Sequence, residues 1–197
     1  MANEVKEPAP KYNYVSPEQY LEMERASQEK HEYYKGEVFA MPGASLRHND
    51  IFHNVYRELT FFLKGKNCKP YGSDLRIHVP ENTLYTYPDI SIVCGRPETI
   101  DSFTDNITNP AVIIDILSKS TMSCDRGTKF HRYRSIKTLK EYLLIDSTSI
   151  CVEIFARQED NSWILTEFKK LADSFTIVTV NLPLHLKDIY GDVIFPE

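Results

Sequence analysis

The chain has 197 residues, 42% of them hydrophobic and 26% charged, which is enough for one well-packed core and short for two. A single domain over 16–197 behind an extended tail over 1–15 is therefore expected, and the net charge of -5 argues against a surface that embraces nucleic acid everywhere while leaving room for a local basic site. With neither a long apolar segment nor a basic-then-apolar leader, no membrane span is expected and the protein reads as cytoplasmic.

In chain order, Ser16-Pro17-Glu18-Gln19 has the form of a capping box with proline in the first helical turn, so a helix is expected from Ser16 to Ser27. "HEYYKGEVFAMP" predicts two short strands turning at Lys35-Gly36. From Ser45 the apolar positions Ile51, Val55, Leu59 and Phe62 repeat at helical spacing until Gly65, the longest helix in the chain. Strand signals follow around Leu75 to Val79 and Asp89 to Val93, then a polar loop from Arg96 to Pro110. "AVIIDILSKST" reads as a strand buried on both faces, "DRGTKFHRYRSI" as a short helix and "EYLLID" as another interior strand. Segments near Ile150 to Ala156, Trp163 to Phe168 and Thr176 to Val180 complete an antiparallel meander. This order predicts an α/β fold, a mixed sheet flanked by helices with an antiparallel β extension. Cys68, Cys94, Cys124 and Cys151 are scattered without any C-x-x-C pairing, so neither a zinc knuckle nor a disulfide framework is expected, in keeping with a reducing compartment.

Two isolated acids stand out. Asp115 interrupts the aliphatic run Val112 to Leu117, where an ionised, unpaired carboxylate costs several kcal/mol and must be paired, hydrogen-bonded, metal-bound or protonated. Asp89 follows Pro88 at the entrance of another apolar strand. If the two strands are neighbours, the carboxylates converge on one point, the arrangement a hard divalent cation requires. Ordinary alternatives are turn chemistry for Asp89 and, for Asp115, a salt bridge to a cation on the following helix.

A proline-aspartate pair followed by an acid inside an aliphatic strand resembles the PD-(D/E)-x-K nuclease superfamily. More closely, "GEVFAMPGAS", "GSDLRIHV", "YPDISIVC", "IIDILSKST", "DRGTKFHRYRSI" and "LKEYLLID" resemble, in order and wording, the Uma-two family of restriction-endonuclease-like bacterial proteins. The resemblance spans about Glu32 to Asp146, and "LPLHLKDIYGDV" is similar to that family's ending. It implies a restriction-endonuclease-like fold in which Asp89 and Asp115 bind Mg²⁺ or Mn²⁺ and a metal-activated water attacks a phosphodiester of DNA. Where the family commonly carries Glu, this chain has the shorter Asp115, and where the superfamily formula places Lys it has Leu117. Lys119 and, better, Lys129 are the candidates to replace that cation, because Asp125, Lys129 and Tyr133 match the family's D-x-x-x-K-x-x-x-Y pattern along one helical face.

The resemblance also draws in Glu37 as an acid completing the metal shell through water, His48 as a phosphate or acid-tuning group, and Asp74 as a supporting acid. Each has an ordinary reading as well: an exposed hairpin acid, a helix-start histidine and a turn cap. Arg126, Arg132 and Arg134, with Lys129, Lys137 and Lys140, form a basic run that either tracks phosphates or is a solvated helix face. Tyr85, Tyr87, Phe130 and Tyr133 are candidates for base stacking or for core packing. The readings that remain are a metal-dependent DNA endonuclease, an inactive nucleic-acid-binding module, and a regulatory protein whose buried acids form salt bridges. A homodimer suits the first, since cutting a duplex takes two sites.

Overall fold

The computed structural model describes residues 14–118 and 124–195. Most of the expected tail, residues 1–13, and Lys119 lie outside the described residues.

Local chemistry sets the first elements. Ser16 Oγ accepts the Gln19 N–H at 3.2 Å while Gln19 Oε1 accepts the Ser16 N–H at 2.9 Å, a reciprocal cap that starts α1 (Pro17–Ala26). Strands β1 (His31–Tyr34) and β2 (Glu37–Ala40) turn at Lys35 and Gly36, with φ of 48° and 95°. Two consecutive left-handed residues suit a tight hairpin turn, and a Cβ on Gly36 would collide with the Tyr14 ring at 2.2 Å. Ser45 caps α2 (Leu46–Leu63), whose buried stripe is Ile51, Val55, Leu59 and Leu63.

The central layer is a six-stranded sheet in the order β11-β10-β9-β8-β6-β3. Its members are β3 (Cys68–Gly72), β6 (Ile90–Cys94), β8 (Val112–Leu117), β9 (Glu141–Asp146), β10 (Val152–Arg157) and β11 (Trp163–Phe168). The β8–β9 pair is parallel and the other pairs are antiparallel, the mixed sheet with antiparallel extension that the sequence predicts. On one face, Ile90, Ile92, Val112, Ile114, Leu143 and Ile145 pack against α2, against the hairpin β12 (Ser174–Ile177) and β13 (Leu182–His185), and against α4 (Leu186–Tyr190). The other face presents Val93, Ile113, Leu117, Tyr142 and Leu144 to a second sheet. That sheet has the order β2-β1-β5-β4-β7, with β4 (Arg76–Val79), β5 (Leu84–Thr86) and β7 (Asn106–Ile107). Tyr20 and Leu21 of α1 cover its outside through Tyr33 and Tyr85.

Three expectations need correction. Cys68 and Cys94 sit directly opposite each other on β3 and β6 and form a disulfide, because strand register rather than sequence proximity brings them together. The expected helix over "DRGTKFHRYRSI" divides into a π-helical turn, Cys124–Lys129, and a single α turn, α3 (Phe130–Tyr133); Gly127 and Thr128 are weak helix formers. The strand expected over Thr176 to Val180 as the close of the meander is instead β12 (Ser174–Ile177), which pairs with β13 in a separate two-stranded sheet and not with β11, because 178–181 form the turn of that hairpin. No helix of the described residues is long and apolar enough to cross a membrane.

Candidate active site

All six residues of β8 are buried, and Asp115 is 3% exposed. The ladder between β6 and β8 pairs Ile92 with Val112, Ser91 with Ile113 and Ile90 with Ile114. The ladder ends there, and Asp89, the residue just before β6, would be the next partner of Asp115 and reaches across to the Ile116 N–H with its side chain. Directly opposed residues of an antiparallel pair project to the same side with Cβ atoms about 5 Å apart. Alternation gives that side its identity: Ile113 and Leu117, which share Asp115's face, belong to the core between the two sheets. Sheet register thus places two acids side by side at the end of the central ladder.

Both acids are anchored. Asp89 Oδ2 accepts the Ile116 N–H at 2.6 Å, and Asp89 Oδ1 lies 3.2 Å from His48 Nε2, which the first turn of α2 delivers. Tyr142, on β9, donates its hydroxyl to Asp115 Oδ2 at 2.8 Å. Burial pushes the Asp115 carboxyl up to about 7; Lys129 opposes that rise, while Asp125 and Asp89 add to it. For His48, burial works against the imidazolium, but the hydrogen bond and charge of Asp89, with Asp115 and the Ile116 backbone, hold its pKa above the ordinary value. His48 Nδ1 is buried without a hydrogen-bond partner among the described residues.

Lys129 closes the group from the π-helical turn. Its ammonium lies 3.2 Å from Glu32 Oε1 and 3.3 Å from Asp125 Oδ1, the latter without hydrogen-bond alignment. Burial disfavours its charge, yet Asp115, Tyr133, Glu32 and Asp125 together keep its pKa well above the usual lysine value. The Thr86 hydroxyl donates to Glu32 Oε1 and holds that carboxylate in place. These contacts join the hairpin sheet to the central sheet through one partly buried cation.

The acids, His48 and Lys129 open onto a cleft of about 830 Å³. Lys30 and Arg47 on its walls add positive charge, the loop Met41 to Ser45 forms one rim, and Phe52, Tyr87, Ser147 and Thr148 line other parts of it. The cleft therefore has a mixed lining, Asp89, Asp115, Asp125 and Glu29 together with Lys30, Arg47, His48 and Lys129, a setting in which carboxylates can meet a hard cation and nearby cations an anionic group. The oxygen donors suit a divalent ion and their mutual repulsion is the charge it would relieve. No cluster of three or more His, Cys, Asp or Glu able to hold a metal is found among the described residues, so backbone oxygen and water would have to complete a shell.

The sequence-derived candidates thus separate. Asp89, Asp115, His48 and Lys129 come together in the cleft. Glu37 does not line it: it is exposed at the first position of β2, and the hairpin acid that reaches the site is Glu32, on the neighbouring strand. Arg126 pairs with Glu153 at 2.6 Å, Arg132 lies 3.4 Å over the Tyr34 ring and Arg134 meets His131 at 3.0 Å, so these three guanidinium groups point to different partners and none lines the cleft. Asp74 is exposed and paired with Lys30 at 2.6 Å. Tyr85 and Tyr133 are core residues and Phe130 stacks on Phe155; of the four aromatics only Tyr87 lines the cleft. Glu32, Tyr142, Lys30 and Arg47 escaped the sequence reading. An acid alternating with buried Tyr33 in a strand was the available signal for Glu32, and nothing in "EYLLID" singled out Tyr142.

Comparison with known proteins agrees with this architecture. The chain is 33% identical over 188 residues to the uncharacterized protein slr1290 of Synechocystis sp., covering 95% of this chain and 97% of that protein. It is 36% identical over 149 residues to the uncharacterized protein sll1609 of the same organism, covering 76% and 84% respectively. Its fold is similar to a crystal structure from Anabaena variabilis described as "a putative nuclease belonging to DUF820", with a TM-score of 0.75, 16% identity and coverage of 91% of this chain and 99% of that one. A family model described as "Putative restriction endonuclease" matches residues 17–185. The chain belongs to that family, Uma2, and has its restriction-endonuclease-like fold.

Proposed function

We propose that the protein is a metal-dependent endonuclease that hydrolyses phosphodiester bonds of DNA. The observation that carries this reading is the pair Asp89, at the entrance of β6, and Asp115, on the neighbouring β8, both lining a cleft that also holds Lys129. Asp89 and Asp115 are the residues to hold Mg²⁺ or Mn²⁺, and a bound divalent ion would lower the pKa of a water and offset charge on the phosphate. His48 and the Ile116 N–H hold the Asp89 carboxylate, and Tyr142 holds Asp115 Oδ2, so both acids are positioned at the cleft before any ion binds. Lys129, held charged by Glu32 and Asp125, is placed to orient the attacking water or to hold a non-bridging phosphate oxygen. Arg47 supplies a phosphate contact on the wall.

Cleavage of supercoiled plasmid and of single-stranded DNA in Mn²⁺, compared among wild type, Asp115→Asn and Lys129→Ala, tests this. Loss of cutting in both variants supports it; equal cutting by all three removes these residues from the chemistry. A second reading, a nucleic-acid-binding or regulatory protein without turnover on the same fold, draws on the fact that Asp89 already spends both oxygens on contacts within the chain. Calorimetric Mn²⁺ binding with DNA left intact would favour it.

A further inference from the structure

The exposed side of α2 carries a groove of about 430 Å³ that begins where the cleft ends: Phe52 lines both. Phe52 and Tyr56 stack with ring centroids 5.3 Å apart and planes 15° from parallel. The Tyr56 hydroxyl reaches the Pro70 carbonyl at 3.4 Å, which ties its ring to β3. Beyond them stands Phe61, 83% exposed. His53, Arg57 and Lys64 border the same groove; Arg57, half exposed, also meets Glu58 at 3.3 Å, but none of the residues lining the groove is acidic, on a chain whose net charge is -5. From Phe52 to Phe61 the helix rises about 13 Å at 1.5 Å per residue, the length of about four stacked nucleotides at about 3.4 Å each.

We propose that this groove is the path of a single nucleic-acid strand leading into the cleft, its bases resting on Phe52, Tyr56 and Phe61 and its phosphates facing Arg57 and Lys64. Aromatic faces interleaved with cations are what a single strand requires, because an unpaired base offers a stacking face that a duplex keeps inside. Positive charge confined to an apolar groove also disfavours a symmetric contact between two copies, which would set each cation against its counterpart. The inference rests on the endonuclease reading for the cleft end of the path and names its substrate: single-stranded or locally opened DNA.

The test uses the full chain in EDTA, where nothing can be cut, with fluorescently labelled oligothymidylate and a duplex of equal length read by anisotropy at two salt concentrations. Wild type binds the single strand more tightly than the duplex. Phe61→Ala weakens single-strand binding by about five- to a hundredfold, the range for one lost stacking contact, with little effect on the duplex. Arg57→Gln with Lys64→Gln flattens the salt dependence by close to two phosphate contacts. Unchanged single-strand affinity in both variants overturns the proposal. So does a dimer in sedimentation that Phe61→Ala dissociates, or Phe61-dependent binding to phosphatidylserine vesicles without oligonucleotide binding. Asp115→Asn separates the two readings: it retains groove-dependent strand binding whether or not the wild type cleaves. Groove-dependent binding without cleavage in Mn²⁺ leaves the path standing and ends the endonuclease reading. Cleavage indifferent to Phe61 does the reverse.

Discussion

Replacing Asp115 by Asn tests the electrostatics of the site without reference to any substrate. In the folded chain burial raises the carboxyl to about 7 from 3.8, a gap of about three pH units, or about 4 kcal/mol at 1.36 kcal/mol each. The folded pKa lies above the unfolded one, so the stability this group contributes is complete below pH 3.8 and is lost as pH rises through about 7. Asn keeps the size and the acceptor that Tyr142 needs and removes the titration. The attraction of Lys129 lowers the Asp115 pKa and is already contained in that gap. In chelator, the variant should be more stable than wild type by about 1.5 kcal/mol at pH 5 and by about 4 kcal/mol at pH 8.5. Urea denaturation at the two pH values measures this difference. A difference that does not change with pH, or a variant less stable at pH 8.5, would refute a strained carboxyl at this position. Saturating Mn²⁺ should reverse the order at pH 8.5, because only the wild type gains binding energy in the folded state.

Glu32→Gln preserves the Thr86 acceptor and deletes the anion beside Lys129, so the lysine pKa falls. Plasmid cleavage should drop about tenfold, about 1.4 kcal/mol of barrier, with DNA affinity in EDTA unchanged; an unchanged cleavage rate would remove Glu32 from the site's support. Arg76, 2% exposed, bridges Asn106, Tyr87 and Asp105; in Arg76→Met, Asp105 keeps Arg25 and Tyr87 keeps Glu24 while Asn106 Oδ1 loses its donor, so the cost should be about 2 kcal/mol, read as a fall in the urea midpoint. Replacing Cys68 and Cys94 together by Ser reopens a bridge between residues 26 apart and should cost about 3 kcal/mol under non-reducing conditions, a difference that dithiothreitol abolishes.

Where periodicity was long, the sequence was informative: α2 and β8 carry enough apolar positions to announce their period and their burial. The acid pair was legible for a related reason, since a carboxylate in an all-apolar strand has no bland place to go. Glu37 shows the limit. A two-strand hairpin offers acids on both strands, and only the packing of β1 against β5, which brings Glu32 to Thr86 and Lys129, decides which acid turns inward. The basic run fails likewise, because Glu153 on β10 and Tyr34 on β1 are distant in sequence and capture Arg126 and Arg132 only after folding. Cys68 and Cys94 meet through strand register, which cysteine spacing does not encode.

The bond from the Ile116 N–H to Asp89 means that a side chain stands in for a backbone carbonyl where the β6–β8 ladder ends. Asp89 is thereby bound to its identity twice, once by what it offers the cleft and once as the last rung of the sheet. A descendant that abandoned hydrolysis would still be selected for an acceptor at this position, so an aspartate there marks a closed sheet before it marks a working enzyme. For the same reason Asp89→Asn, which keeps a rung, is the informative substitution, whereas Asp89→Ala loosens the strand end and the cleft together.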